Sequence, residues 1–417
     1  MRDEGGQAIF LVAIVMLALV MAVGLAVDTG QLFSGRRSAQ QAADSAAFAG
    51  AVLLFQQGCP WAATCTATQV SNATSAATSD ASLNGYATDT PTTGTTVTVS
   101  SPPSAGSFAN NALCVRVVVS TPIRTTLVPQ TEAFTTVKAT GTACASQYNA
   151  GYALMALDKT CITKTLQEGP NGTLAIHGGN LYVNSCSPSA GYAEKTVTLD
   201  SGYGAYFDGG ATPWPSVSPG TTTMNTGVVQ ADPFAGTPGP PTTGLTAQTC
   251  TGPALSPGIY TCKIGPGSYT MASGYYIFEG NPNGITLTGN STLTGTGVLI
   301  YLTTSNYPSS GGTCASLSIG GNGTTTISAA TSGPYAGMLI YQDSQCTGDI
   351  SIGGNGMIAS LTGSIYAPTG SVSTNGTNAT ITLTQIVANQ ENVQNGNVTI
   401  NYAAASAYVG YVPALIE

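Results

Sequence analysis

The sequence predicts a mainly β protein with one N-terminal transmembrane helix that extends beyond the membrane, a small α+β region, and a C-terminal right-handed parallel β-helix, with a β-sandwich as the alternative. Three observations predict it. Residues 8–27 form an uninterrupted apolar run, only 7% of the 417 residues are charged while 52 are glycine, and phrases ending in tyrosine return at near-constant spacing late in the chain.

A Gly/Thr/Ser/Ala/Asn-rich, charge-poor chain disfavours long soluble helices and favours short strands joined by tight turns. Disorder is excluded by a 42% hydrophobic share and 19 tyrosines set inside apolar runs. The length implies two or three structural units. A net charge of −8, with no Lys or Arg after Lys263, excludes nucleic-acid binding, because phosphate neutralisation needs clustered cations. Ten cysteines, Cys59, Cys65, Cys114, Cys144, Cys161, Cys186, Cys250, Cys262, Cys314 and Cys346, contain no CxxC pair, and a single histidine accompanies them. Disulfides in an oxidising compartment fit this pattern better than zinc. Pairing between sequence neighbours is the simplest connectivity, although spacing does not fix it.

From Ala8 to Val27 there are 20 uncharged positions. At about 1.5 Å per residue they cross a hydrocarbon core of about 30 Å. A cleaved secretory signal is the competing reading, but its apolar stretch is usually about 7–15 residues and follows a basic segment, whereas MRDEGGQ is not strongly basic. Charge says little about orientation, since Arg2 on one side is matched by Arg36 and Arg37 on the other. The cysteines decide it, placing the C-terminal mass outside the cytoplasm. Small residues recur every fourth position at Ala18, Ala22 and Ala26, then at Ala39, Ala43 and Ala47 with Gly50 beside them. Such a stripe lets another helix approach closely, while alanine is also simply a good helix former in a helix running to about Phe55. Asp28 sits where the helix leaves the bilayer, either as a solvated boundary residue or facing a headgroup or a partner's cation.

Gly6-Gln7-Ala8, Gly24-Leu25-Ala26-Val27-Asp28-Thr29-Gly30, Arg36-Arg37, Gln40-Gln41-Ala42-Ala43-Asp44-Ser45-Ala46-Ala47 and Ala49-Gly50-Ala51 follow one another in fixed order. Over about the first 52 residues the chain resembles the N-terminal signature of TadE/TadG-like Flp (tight adherence) pilus-assembly proteins. The resemblance implies a bacterial inner-membrane protein in a minor pilin-like or accessory role, with other pilin-like or Tad assembly proteins as partners. One departure stands out. Prepilin-type processing in the wider group uses a small residue followed five positions later by Glu, and no Glu lies between Gly6 and Val27.

After this helical segment (1–57), residues 58–149 read as a pilin-like α+β region. A short Cys59–Cys65 loop leads into a helical stretch ending near Asn84-Gly85. Strands follow at Thr95–Val99, Cys114–Val119 and Phe134–Gly141, and Cys114 with Cys144 is a candidate staple. Residues 150–417 form the repeat domain. Leu174–Ser185 reads as two strands meeting at Gly178-Gly179, and nine prolines between Thr212 and Gly258 mark an insertion over 212–258, a surface excursion or linker. Beyond it, Tyr276 to Tyr301 and Tyr341 to Tyr366 are each 25 residues apart, while Tyr301 to Tyr341 is 40 with an extra loop bearing Cys314. Phrases such as Ile319-Gly320-Gly321-Asn322-Gly323 and Ile352-Gly353-Gly354-Asn355-Gly356 lie between them. A returning phrase of about one coil, with Gly/Asn corners, is what a β-helix requires, and a sandwich gives no reason for it. Pro257-Gly258-Ile259-Tyr260 and the Gly-Val-Leu-Ile-Tyr phrases also resemble C-terminal regions joined to Tad-type anchors.

β-Helical proteins often act on polysaccharides, through a base with cations or through two carboxylates about 5–10 Å apart. Asp343 and Asp349 are the one pair worth weighing, and His177 reads as a turn residue. No phosphate loop or Gly-x-Ser-x-Gly elbow is present, and no cofactor or metal is implied. The expectation is therefore a non-enzymatic, membrane-anchored, extracytoplasmic protein associated with Tad/Flp pilus assembly, as a minor pilin-like or adhesion component. Its partners are expected to be the membrane, assembly proteins and a surface glycan or host surface. A β-helical glycan-active enzyme on the same anchor is the alternative.

Overall fold

A computed structural model describes residues 5–62, 64–89, 92–125, 134–149, 151–215 and 217–416, without the side chains of residues 5–8 and Phe134. Arg2, Asp3 and Glu4, weighed above for orientation, lie outside the described residues. The chain divides into two compact units, one running to Gln147 and resuming at Tyr411, the other spanning Tyr148–Gly410.

In the first unit, α1 (Gly5–Gln56) is a single helix long and apolar enough to cross a membrane. Its apolar side chains from Ile9 to Leu25 are exposed, as a lipid-facing segment requires. Beyond the span the helix packs on α2 (Ala67–Leu83), which opens with a capping box in which Thr66 and Gln69 satisfy each other's free backbone amides. Strands β1 (Thr96–Ser100), β2 (Cys114–Arg124) and β3 (Phe134–Tyr148) pair antiparallel, and the C-terminal strand Gly410–Leu415 adds to β3. The core consists of small residues: Ala39, Ala43, Ala46, Ala47 and Ala51 of α1 meet Ala73, Ala77 and Ala81 of α2 and Val115, Val117 and Val119 of β2. A Cβ at Gly141 would stand 2.5 Å from the Ala43 backbone, so only glycine lets β3 approach the helix this closely. Cys114 and Cys144 are opposite each other across β2 and β3 and are joined.

Every strand pair recorded in the second unit is parallel and links strands one coil apart, the three-faced stacking of a β-helix-like fold rather than a sandwich of antiparallel sheets. Alternating side chains point inward and form a continuous apolar interior. The glycine corners stack as well. A Cβ on Gly354 would meet the Gly321 carbonyl at 2.1 Å, and one on Gly321 would meet the Gly289 carbonyl at 2.1 Å, which explains the recurring Gly-Gly-Asn phrase.

Pairing order departs from sequence order. Starting at Tyr152–Ala156, the chain winds through Asn180–Val183 and Gly204–Phe207 to a short strand at Thr221–Thr223. The next paired strand, Ala247–Gln248, lies at the opposite end of the stack, against Gly258–Tyr260. The chain then winds through Gly274–Glu279, Val298–Thr303, Met338–Gln342 and Ser364–Ala367 to Gln385–Ala388, which pairs with Leu154–Ala156, the start of the winding. The stack is one continuous solenoid whose chain enters in the middle. The proline-rich segment carries the chain back along its length.

This return segment is an ordered strap held by tyrosines from successive coils. Tyr182 donates to the carbonyl of Val228, and Asn184 exchanges two hydrogen bonds with the Gln230 backbone at 2.9 and 2.8 Å. Tyr366 donates to Asp232 at 2.7 Å, Tyr341 to the Thr237 carbonyl at 2.6 Å and Tyr307 to the Pro240 carbonyl at 2.7 Å. Phe234 is buried edge-on against Tyr366 and Tyr408. Prolines remove amides from the segment and leave it unable to form a ladder of its own, so side-chain donors of the coils take several of its carbonyls.

The tyrosine spacing misleads at one coil. Tyr301, Tyr341 and Tyr366 are in register, but Tyr301 lies opposite Ile277, so Tyr276, opposite Ile300, faces the interior and stacks on Tyr260. One residue of slip exchanges the two faces of a strand.

Candidate functional site

The carboxylates weighed from sequence are engaged in structural bonds and are not drawn into one cluster. Asp343 is buried, accepts hydroxyls from Tyr301 at 2.8 Å and Thr303 at 2.7 Å, and its other oxygen accepts the Gln345 amide at 2.9 Å. Asp349 is at the surface, accepting Ser371 and Ser373 hydroxyls from the next coil at 2.8 Å each. His177 does have a partner that spacing alone did not reveal: its Nδ1 lies 2.8 Å from Asp200 Oδ1, and the hydrogen bond from His177 holds the Asp200 carboxyl below its usual range. Both groups are open to solvent, so the pair is a coil-to-coil tie.

Two acids missed from sequence are buried. Glu391 lies within the interior, where desolvation raises its carboxyl well above the ordinary value, and its Oε1 has no hydrogen-bond partner. Glu168 is raised by burial despite accepting the Glu194 and Lys195 amides at 3.0 and 2.9 Å. Each replaces an apolar residue at an inward position, a substitution that periodicity alone does not flag.

A cavity of about 530 Å³ is bordered by Asp158, Lys159, Thr160, Asp232 and Asn389, where the first and last coils meet. Burial raises Asp232, against the lowering effect of the Tyr366 and Phe234 bonds. Asp158 accepts the Thr160 amide and hydroxyl at 2.6 and 2.7 Å. Leu157, Ile162 and Pro368 complete its lining, and it is open to solvent. Among the described residues no group of three or more His, Cys, Asp or Glu is placed to hold a metal ion.

The small-residue stripe separates into two parts. Ala39, Ala43, Ala47 and Gly50 are buried inside their own unit against α2 and the sheet. Ala18, Ala22 and Ala26 remain exposed within the span, and Asp28 is buried at its edge. Just above, Thr29, Leu32, Phe33 and Arg36 line an apolar cavity of about 330 Å³ with Thr135 and Val137. All ten cysteines are paired, each with its sequence neighbour: 59–65, 114–144, 161–186, 250–262 and 314–346.

The three coil faces differ. One lies under the strap and one carries mixed Ser, Asn, Gln and Asp side chains. The third, through Thr294, Thr326 and Thr382, is open, with no charge along its threonine columns and the His177–Asp200 pair beside them on one pair of coils. These features define a class of protein, a long N-terminal helix apolar enough to cross a membrane, carrying a disulfide-bonded, β-helix-like stack. Residues 6–53 match the family described as putative Flp pilus-assembly TadE/G-like. No curated protein matches the chain. No solved structure matches it either.

Proposed function

We propose that this is a non-catalytic envelope protein of the Tad/Flp pilus-assembly type, anchored by α1 in the bacterial cytoplasmic membrane with both units on the far side. The match of residues 6–53 to the TadE/G-like family carries the reading. The five disulfides support the placement, because such bonds persist outside the reducing cytoplasm. In this reading Ala18, Ala22 and Ala26 seat the span against helices of other pilin-like or assembly proteins. The first unit acts as a minor pilin-like module, and the coils, taken as right-handed, are displayed to a surface, a glycan or a host.

Fractionation and protease protection test the anchor: the full chain is expected in the inner-membrane fraction, with its coils digested only from the periplasmic side. Recovery in the soluble fraction, or a mature N-terminus beyond Val27, would overturn it. For the partner role, Ala22→Trp should abolish co-purification with the other assembly proteins while leaving the five disulfides intact.

The open cavity at Asp158 and Asp232 favours a second reading, a glycan-active enzyme on the same anchor. Bond cleavage in a glycan panel by the solubilised chain, lost in Asp232→Asn or in Asp343→Asn, would replace the non-catalytic reading.

A further inference from the structure

The open coil face is a two-column lattice. Residues between the columns, such as Leu293, Ala359, Ile381, Val398 and Val197, are buried, so the residues flanking them point outward. One column reads Thr270, Thr294, Thr326, Ser360, Thr382 and Thr399 on successive coils, and continues to Thr198 beyond Ala175. The other lies two residues earlier on each strand, starts at Ser268 and is threonine at Thr292, Thr324, Thr380, Thr173 and Thr196, with Ile358 and Asn397 among them. No position in either column is charged. Through all these rungs the register of the two columns is unbroken. The covered face, by contrast, shifts at Met338/Ile340 and Tyr152/Leu154.

Strand geometry fixes the spacings. Neighbouring rungs stand about 4.7–4.9 Å apart, and residues i and i+2 of one strand are about 6.6 Å apart. These repeats lie close to those at which oxygens recur along the a and c axes of hexagonal ice. Threonine suits such a template, because its β-branch restricts χ1 and holds methyl and hydroxyl in place with little freedom to lose. Some hydroxyls are already tied within the lattice, as between Thr270 and Thr294 at 3.2 Å and from Thr173 to Asn397 at 2.8 Å. The absence of charge selects the occupant. A polyanion needs cations, and a charge facing a rigid neutral lattice would lose hydration without gaining a counter-ion. The repeat of a crystalline glycan is set by its sugar unit, with no reason to match strand spacing on every coil.

We infer that this threonine face binds ice. The inference rests on the reading that the coils are displayed beyond the membrane, and names what they are displayed against. The full chain, reconstituted in fluorescent lipid nanodiscs, is expected to be incorporated into a slowly grown ice hemisphere, while empty discs are excluded. Thr326→Tyr combined with Thr382→Tyr should reduce incorporation to the level of empty discs. Ser318→Tyr on the mixed polar face should leave it unchanged, with near-ultraviolet circular dichroism and all five disulfides retained in both variants. Exclusion of the wild-type chain, equal incorporation of the double variant, or capture by microcrystalline chitin without entry into ice would each overturn the inference. If the chain stays in the membrane fraction while ice excludes it, ice binding falls and the anchored reading stands.

Discussion

Glu391 occupies an inward position in line with Val372 on one neighbouring coil and Leu166 on the other. Its raised carboxyl means that the folded state holds the proton more tightly than the unfolded state does. Stability from the neutral form is therefore present in full below the ordinary carboxylate range and is lost as pH rises through the folded value. Glu391→Gln removes the ionisation and should raise the thermal midpoint at pH 7.5, with the gain shrinking toward pH 4. Each kcal/mol should move the midpoint by about 2–4 °C. A midpoint no higher than wild type at pH 7.5 would show that the carboxylate is not held neutral. The tyrosine hydroxyls shift in the same direction from a much higher starting value. Burial raises Tyr301, Tyr335, Tyr341 and Tyr366, so they stay protonated donors across the physiological range. At this scale much was readable: the cysteines, the corner glycines and the recurrent tyrosines all stand out in the sequence. The His177 tie to Asp200 and the burial of Glu391 were not, because each depends on which residue lies one coil away.

Among the elements, α1 changes role along its length. Its first half is exposed apolar surface suited to lipid. Its second half is the central wall of a small alanine-based core. Gly141→Leu would drive a side chain into the Ala43 backbone and should destabilise the first unit by about 1–3 kcal/mol, read as faster proteolysis within α2. The strap is the other such element. Tyr341→Phe leaves the Thr237 carbonyl without its donor in a buried setting, for an expected cost of about 1–3 kcal/mol. Limited proteolysis within residues 225–245 should then accelerate while the coils remain resistant. The sequence identified both elements, but it did not say that the alanines would be buried by their own chain or that the prolines would form a bound strap. A small-residue stripe offers close approach without choosing the partner, and a proline-rich segment loses its own ladder without revealing which side chains replace it.

For the whole molecule, the solenoid's two halves are joined by the strap and by stacking of Gln385–Ala388 on Leu154–Ala156, with further pairs at Glu391–Val393 and Asn397–Asn401. No disulfide links them, since Cys161–Cys186 lies before the strap and Cys250–Cys262 and Cys314–Cys346 come after its ordered contacts. A protease site inserted at Thr243–Gly244 should therefore yield two fragments that co-migrate under native conditions and separate in denaturant without reductant. Dissociation under native conditions would show that the strap, rather than the stacking, holds the halves together. By itself the sequence determined the long apolar helix, the disulfide-bonded β character and the repeating coil, because apolar length, cysteine number and periodicity are local or additive properties. Only the tertiary structure decided that the last coil stacks on the first, that the strap covers one face, and that threonines far apart in the chain align in unbroken columns. Those outcomes depend on register between distant strands, and register is set by the packing of the whole stack.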